Sequence, residues 1–180
     1  MTRTSFRYVA EMNEAFGNPK GNPHTFDPDR ILAQMKNIED EYFREFIPAV
    51  SALKLFLSGG ATTNAAGVPF VYSDLVEEIR DALCDIQVFT MGAQHLIGVD
   101  GDADMEAVLD GVMTRFCKTQ EELDATIAKF AAKGVTEVYT EGEFPKMVLK
   151  SAADQPDAPK GKFLKSVGYT DTKFAQLQLL

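Results

Sequence analysis

The chain has 180 residues, 45% of them hydrophobic, and carries a formal net charge of −9. That length and apolar content suffice for one compact domain with a buried core, whereas the acidic balance argues against a duplex nucleic-acid binder, which needs a concentrated basic footprint. The two cysteines, Cys84 and Cys117, are too few for a disulfide framework or a zinc site, and the apolar runs 47–57 and 86–99 are too short and too interrupted to span a bilayer. The expectation is a cytoplasmic protein, without targeting segment or membrane partner, whose cysteines are buried or half-buried thiols in a reducing compartment.

A first helix is predicted from Ser5 to Phe16, followed by the turn-rich loop Gly17-Asn-Pro-Lys-Gly-Asn-Pro23. Asp27-Pro28 starts a second helix, an N-cap followed by a proline whose missing amide hydrogen would have had no partner anyway. It runs to about Phe56 at most, with Ile31, Met35, Ile38, Tyr42 and Phe46 recurring at helical spacing on one face. Taking about 100° per residue, Glu41 and Glu45 lie beside that face, roughly 40° apart, while Asp40 and Arg44 point away from it. The small, polar stretch Ser58–Gly67 reads as a flexible connector.

A third helix is predicted from near Ser73 to before Gly98. Glu78, Asp81 and Asp85 fall within roughly 60° of arc at the edge of its apolar stripe of Leu75, Ile79, Ala82, Leu83 and Ile86. Two carboxylates about 4 Å apart repel by about 4 kcal/mol at an effective dielectric near 20, so a hard divalent cation is the simplest partner for acids placed there. A solvated acidic face has the same local spacing. The second acidic helix decides between the two, because facing helices that each offer inward carboxylates are how bundles build metal sites.

Gly98-Val-Asp100-Gly-Asp102-Ala-Asp104 lacks the ligand spacing of a calcium loop and reads as a helix connector. A fourth helix covers about Ala103 to Phe116. Thr119-Gln-Glu-Glu122 is a capping box opening a fifth helix that ends at Gly134. Beyond Gly134 the pattern alternates over Val135–Thr140 and again over Lys146–Lys150, which predicts a small hairpin. Ser151 to Pro159 is a loop, and Lys160, Lys162 and Lys165 form the one concentrated basic segment, near Tyr169. His24 and His95 have no motif partner and read as structural or exposed, with His95 on the polar side of its helix.

Glu41 with Glu45, followed by Glu78-x-x-Asp81, resembles the ExxE…ExxD signature of the all-α nucleoside triphosphate pyrophosphohydrolases, which include MazG, dimeric dUTPases and phosphoribosyl-ATP pyrophosphohydrolase. The bacteriophage branch of that family is also resembled by Tyr8-Val-Ala-Glu-Met-Asn-Glu-Ala-Phe16-Gly17, by Asp81-Ala-Leu-Cys-Asp85-Ile with Gly92 and Gly98-Val-Asp100, by 113–122, by Ala132-Lys-Gly-Val135, and by the ending Gly161-Lys-Phe-Leu-Lys165-Ser-Val-Gly-Tyr169. These segments keep the family order across most of the chain. Two positions depart from the pattern. Arg44 stands where the second glutamate of the first motif usually lies, one residue ahead of Glu45, and Val112 replaces an asparagine that contacts nucleotide in relatives.

The resemblance implies one mainly α domain over 1–180, a MazG-like helical bundle (about 5–133) with a small C-terminal β-hairpin and basic tail (about 135–180). It implies hydrolysis of a (d)NTP to (d)NMP and pyrophosphate with Mg²⁺, for which Mn²⁺ can substitute, on dGTP or another purine nucleotide in phage metabolism. Glu41, Glu78 and Asp81 would be metal ligands and catalytic residues, with Glu45 in place of the usual second glutamate. Asp85 would be a further ligand, orient a water or hold a lysine. Arg115, Lys118, Lys162, Lys165 and Tyr169 would bind the substrate, although a basic tail balancing an acidic body accounts equally for the lysines. Relatives are homodimers or homotetramers. A dUTPase-like hydrolase of dUTP and dUDP, or a non-catalytic nucleotide-binding helical protein, are the alternatives.

Overall fold

Four of the helices begin or end where the sequence supplies a cap, in a computed structural model that describes residues 4–60, 63–64 and 66–174. The Thr4 hydroxyl accepts from the Arg7 amide at 3.3 Å and opens α1, Ser5–Ala15. The Asp27 carboxylate accepts from the Asp29 amide at 3.0 Å and opens α2, Pro28–Asp40. The helical backbone then continues through a π-turn, Glu41–Phe46, into α3, Ile47–Leu57. The long helix α4, Tyr72–Ile97, ends on Gly98 at a left-handed φ of 95°. Helix α5 covers Gly101–Met113, and α6, Gln120–Ala131, starts at the Thr119 hydroxyl, which accepts from the Glu122 amide. The predicted helices are thus present with their ends moved by a few residues, and the π-turn is the feature that periodicity did not anticipate.

The described residues form two compact units, divided between Asp102 and Ala103. In the first, α4 packs against α1, α2, the π-turn and α3. Phe6 and Val9 of α1, Ala49 of α3 and Leu75, Ala82, Ala93 and Leu96 of α4 are buried. Gly92 lets α2 approach: a Cβ there would lie 2.7 Å from Gln34 Nε2, which instead donates to the Phe89 carbonyl at 2.9 Å. The loop after α1 presses on the end of α4, where Gly21 N donates to the His95 carbonyl at 3.0 Å. His95 Nε2 lies 3.0 Å from the Asn18 carbonyl, and only 1% of the residue is exposed. The sequence reading put His95 on a polar face. The loop covers that face, a contact between distant segments to which helical periodicity is blind.

The second unit has its own core of Cys117, Leu123, Val135, Leu149, Ala158 and Leu164, against which Ile127, Phe130, Val138 and Met147 pack. Strand β1, Val138–Glu141, pairs antiparallel with β2, Val148–Ser151, in the register Val138↔Ser151. A third strand, β3, Phe163–Leu164, joins the other edge of β2 through Leu149↔Leu164. The expected hairpin is therefore a three-stranded sheet, and two residues are too few to show alternation. The thiols divide: Cys117 is buried, whereas Cys84 is exposed, about 200° around α4 from the fully buried Ala82. Among the described residues no helix is long and apolar enough to cross a membrane.

Candidate metal centre

Glu41 and Glu45 leave the π-turn toward α4, where Asp85 meets them. One carboxylate oxygen from each lies within 4.8 Å of the others. Glu41 Oε2 is fully buried and has no hydrogen-bond partner among the described residues. An orphaned anionic oxygen inside a ring of carboxylates is unfavourable by itself. Accordingly the Glu41 carboxyl is raised above its ordinary pKa, first by burial, then by the charges of Glu45 and Asp85, by a hydrogen bond to Glu45 and by the charge of Asp81. An all-oxygen donor set with one unsatisfied buried atom fits a hard divalent cation, which would replace the missing partner and offset the repulsion.

The remaining predicted acids stand beside this trio. Asp81 and Glu78, one and two turns before Asp85 on α4, are exposed. Together with Glu45, Arg44, Asn64 and Phe70 they line a cleft of about 460 Å³. They also share a shallower recess of about 310 Å³ with Asp74 and Glu77. The first predicted pair and Asp85 therefore converge within ligand distance, while Glu78 and Asp81 face the adjoining space. Arg44 is drawn off by Asp40, its Nε 3.3 Å from the carboxylate, and three-quarters of its side chain is exposed.

The sequence reading missed Asn64 and Phe70. Asn64 falls in the predicted flexible connector Ser58–Gly67, of which Ala61, Thr62 and Ala65 lie outside the described residues, and Phe70 falls between that connector and the predicted third helix. Asn64 folds the described part into a turn: its Oδ1 accepts from the Ala66 and Val68 amides at 2.9 and 3.0 Å. An asparagine two to four residues before the amides that it caps, with Gly67 following, is the local signal that was available.

Of the predicted substrate-binding residues, all in the second unit, three come together. Lys165 Nζ lies 3.9 Å from the centre of the Tyr169 ring, and the Arg115 guanidinium lies 5.8 Å from it. Arg115 Nε is buried without a hydrogen-bond partner among the described residues. Lys162 instead donates to the Asp157 carbonyl, and Lys118 is tied through its backbone amide to Glu122 at 2.7 Å. Glu122 also accepts from the Ser166 hydroxyl, so it fastens the segment carrying Lys165 and Tyr169 to α6.

No family model matches the chain, and no curated protein matches it.

Proposed function

We propose that this chain is a Mg²⁺-dependent nucleoside triphosphate pyrophosphohydrolase that converts a (d)NTP and water to the (d)NMP and pyrophosphate in the cytoplasm. The observation that carries this reading is the convergence of Glu41, Glu45 and Asp85, with one buried oxygen left unsatisfied, beside a cleft walled by Glu78 and Asp81. The resemblance of these segments to the MazG-like pyrophosphohydrolases supplies the reaction class. Glu41, Glu45 and Asp85 would hold the cation, and Glu78 and Asp81 have room to hold a further one or to orient water. When bound, Mg²⁺ supplies positive charge opposite the phosphates and lowers the pKa of water.

The protein groups then divide the remaining work. Glu78 and Asp81, exposed on the wall of the cleft, are the carboxylates placed to accept a proton from water there. Within the second unit, Arg115 and Lys165 hold positive charge beside the Tyr169 ring, a combination suited by itself to an anionic ligand with a stacking group. Assembly into a homodimer or homotetramer belongs to the same reading. It is supported by exposed apolar side chains along the Glu41 helix, including Leu32, Met35, Phe43, Ile47 and Val50.

Incubating purified protein with each (d)NTP and Mg²⁺ or Mn²⁺ tests the proposal. Monophosphate and pyrophosphate in equal amounts support it, and orthophosphate released from dUDP favours the dUTPase-like reading. Saturable nucleotide binding with unchanged triphosphate would show a non-catalytic binding protein. Glu78→Gln and Asp81→Asn should lose turnover while keeping the fold, and parent rates in both would remove these two residues from the site.

A further inference from the structure

The helix bearing Glu41 and Glu45 holds one residue more than a regular α-helix. In its π-turn the Ile47 amide donates to the Tyr42 carbonyl, five residues back, and a turn closed that way contains an extra residue. A side chain four positions on then takes the angular place that one three positions on has in an α-helix. The α-helical occupant of that place, counted from Glu41, is Arg44. Here Glu45 reaches Glu41 and Asp85, and Arg44 swings out to Asp40. Pro48 explains where the turn falls. It has no amide hydrogen, its ring would collide with the Arg44 carbonyl in a continuous α-helix, and the π-turn closes on Ile47, immediately before it.

We propose that Pro48 and the extra residue of the π-turn form a register device that delivers a carboxylate, in place of a guanidinium, to Glu41 and Asp85. The inference rests on the cation reading above and deepens it. Pro48 lines the cleft, and in this device it acts through the backbone, as a positioning residue for Glu45. With Arg44 at that angle, a fixed cation would sit between the carboxylates and close the locus to Mg²⁺.

The test is Mn²⁺ binding to the full chain, followed by electron paramagnetic resonance. Pro48→Ala frees the π-turn to migrate and should weaken Mn²⁺ binding about tenfold or more. Deleting Phe43 in the Pro48→Ala variant leaves a regular α-helix with the two glutamates three apart and every flanking face in its original register. That deletion should restore the parent affinity and raise the melting temperature above that of Pro48→Ala alone. Parent affinity in Pro48→Ala, or a deletion variant that fails to fold or folds without binding Mn²⁺, overturns the proposal. If the parent chain itself binds no Mn²⁺, the cation reading fails separately, and the register is read by cross-linking in a Cys84→Ser background. Glu45→Cys paired with Asp85→Cys should then cross-link through a short bis-maleimide, and Arg44→Cys paired with Asp85→Cys should not. Equal or reversed yields overturn the register device.

Discussion

Glu41→Gln should make the cation-free protein more stable and abolish its stabilisation by Mg²⁺. With oxygens of Glu41, Glu45 and Asp85 within 4.8 Å of one another, each ionised pair repels by about 0.9 kcal/mol in a water-like dielectric and about 3.5 kcal/mol at an effective dielectric near 20. Removing the Glu41 charge relieves two such pairs. Glu45 is exposed, and Glu41 takes up a proton before it bears the full repulsion, so the gain belongs near the lower bound, about 2 kcal/mol. For a chain of this size that corresponds to a rise in melting temperature of about 4–8 °C. Mg²⁺ at a hundred times its dissociation constant would add about 2.7 kcal/mol to the parent and nothing to the variant. Thermal unfolding in EDTA and in Mg²⁺ reads both effects. A Glu41→Gln protein that melts below the parent in EDTA, or shows the parent's full response to Mg²⁺, would refute the electrostatic account of the site.

Three further outcomes follow from the same contacts. Because burial and neighbouring acids raise the Glu41 pKa in the folded state, its favourable contribution is complete below its unfolded pKa and is lost as pH rises through the folded value. Mg²⁺ competes with that proton, so the Mg²⁺-induced shift in melting temperature should grow as pH rises through the folded pKa and stay flat in Glu41→Gln. Glu122 has the opposite sign: the Ser166 hydroxyl and the Lys118 amide hold its carboxyl below the usual range, so its contribution is present above the unfolded pKa and disappears as pH falls through the folded one. Glu122→Gln should therefore cost about 1.5–3 kcal/mol in urea unfolding at pH 7, with the difference from the parent vanishing in acid. Gly21→Ala should destabilise by about 1–3 kcal/mol or more, because its Cβ would lie 1.8 Å from the Leu96 carbonyl oxygen; a variant with unchanged unfolding would mean that the loop does not seat on α4.

The helices, and the acids carried on them, were legible in the sequence because their causes are local. Asp27, Thr119 and Gly98 act within one turn of where they stand, and the place of Glu41 beside the apolar face follows from residues a few positions apart, whereas the angle of Glu45 to Glu41 is set by the π-turn, which periodicity does not signal. Tertiary structure decided which acids meet. Asp85, rather than Glu78 or Asp81, closes the trio, because proximity between α4 and the π-turn depends on packing set by Ala49, Ala82 and Gly92 far along the chain. The same reason hid the burial of His95 under the Asn18 loop and the two-residue strand that joins Leu164 to Leu149. Periodicity reports the faces that one element presents, whereas burial, third strands and shared ligands are properties of pairs of elements that the chain brings together only on folding.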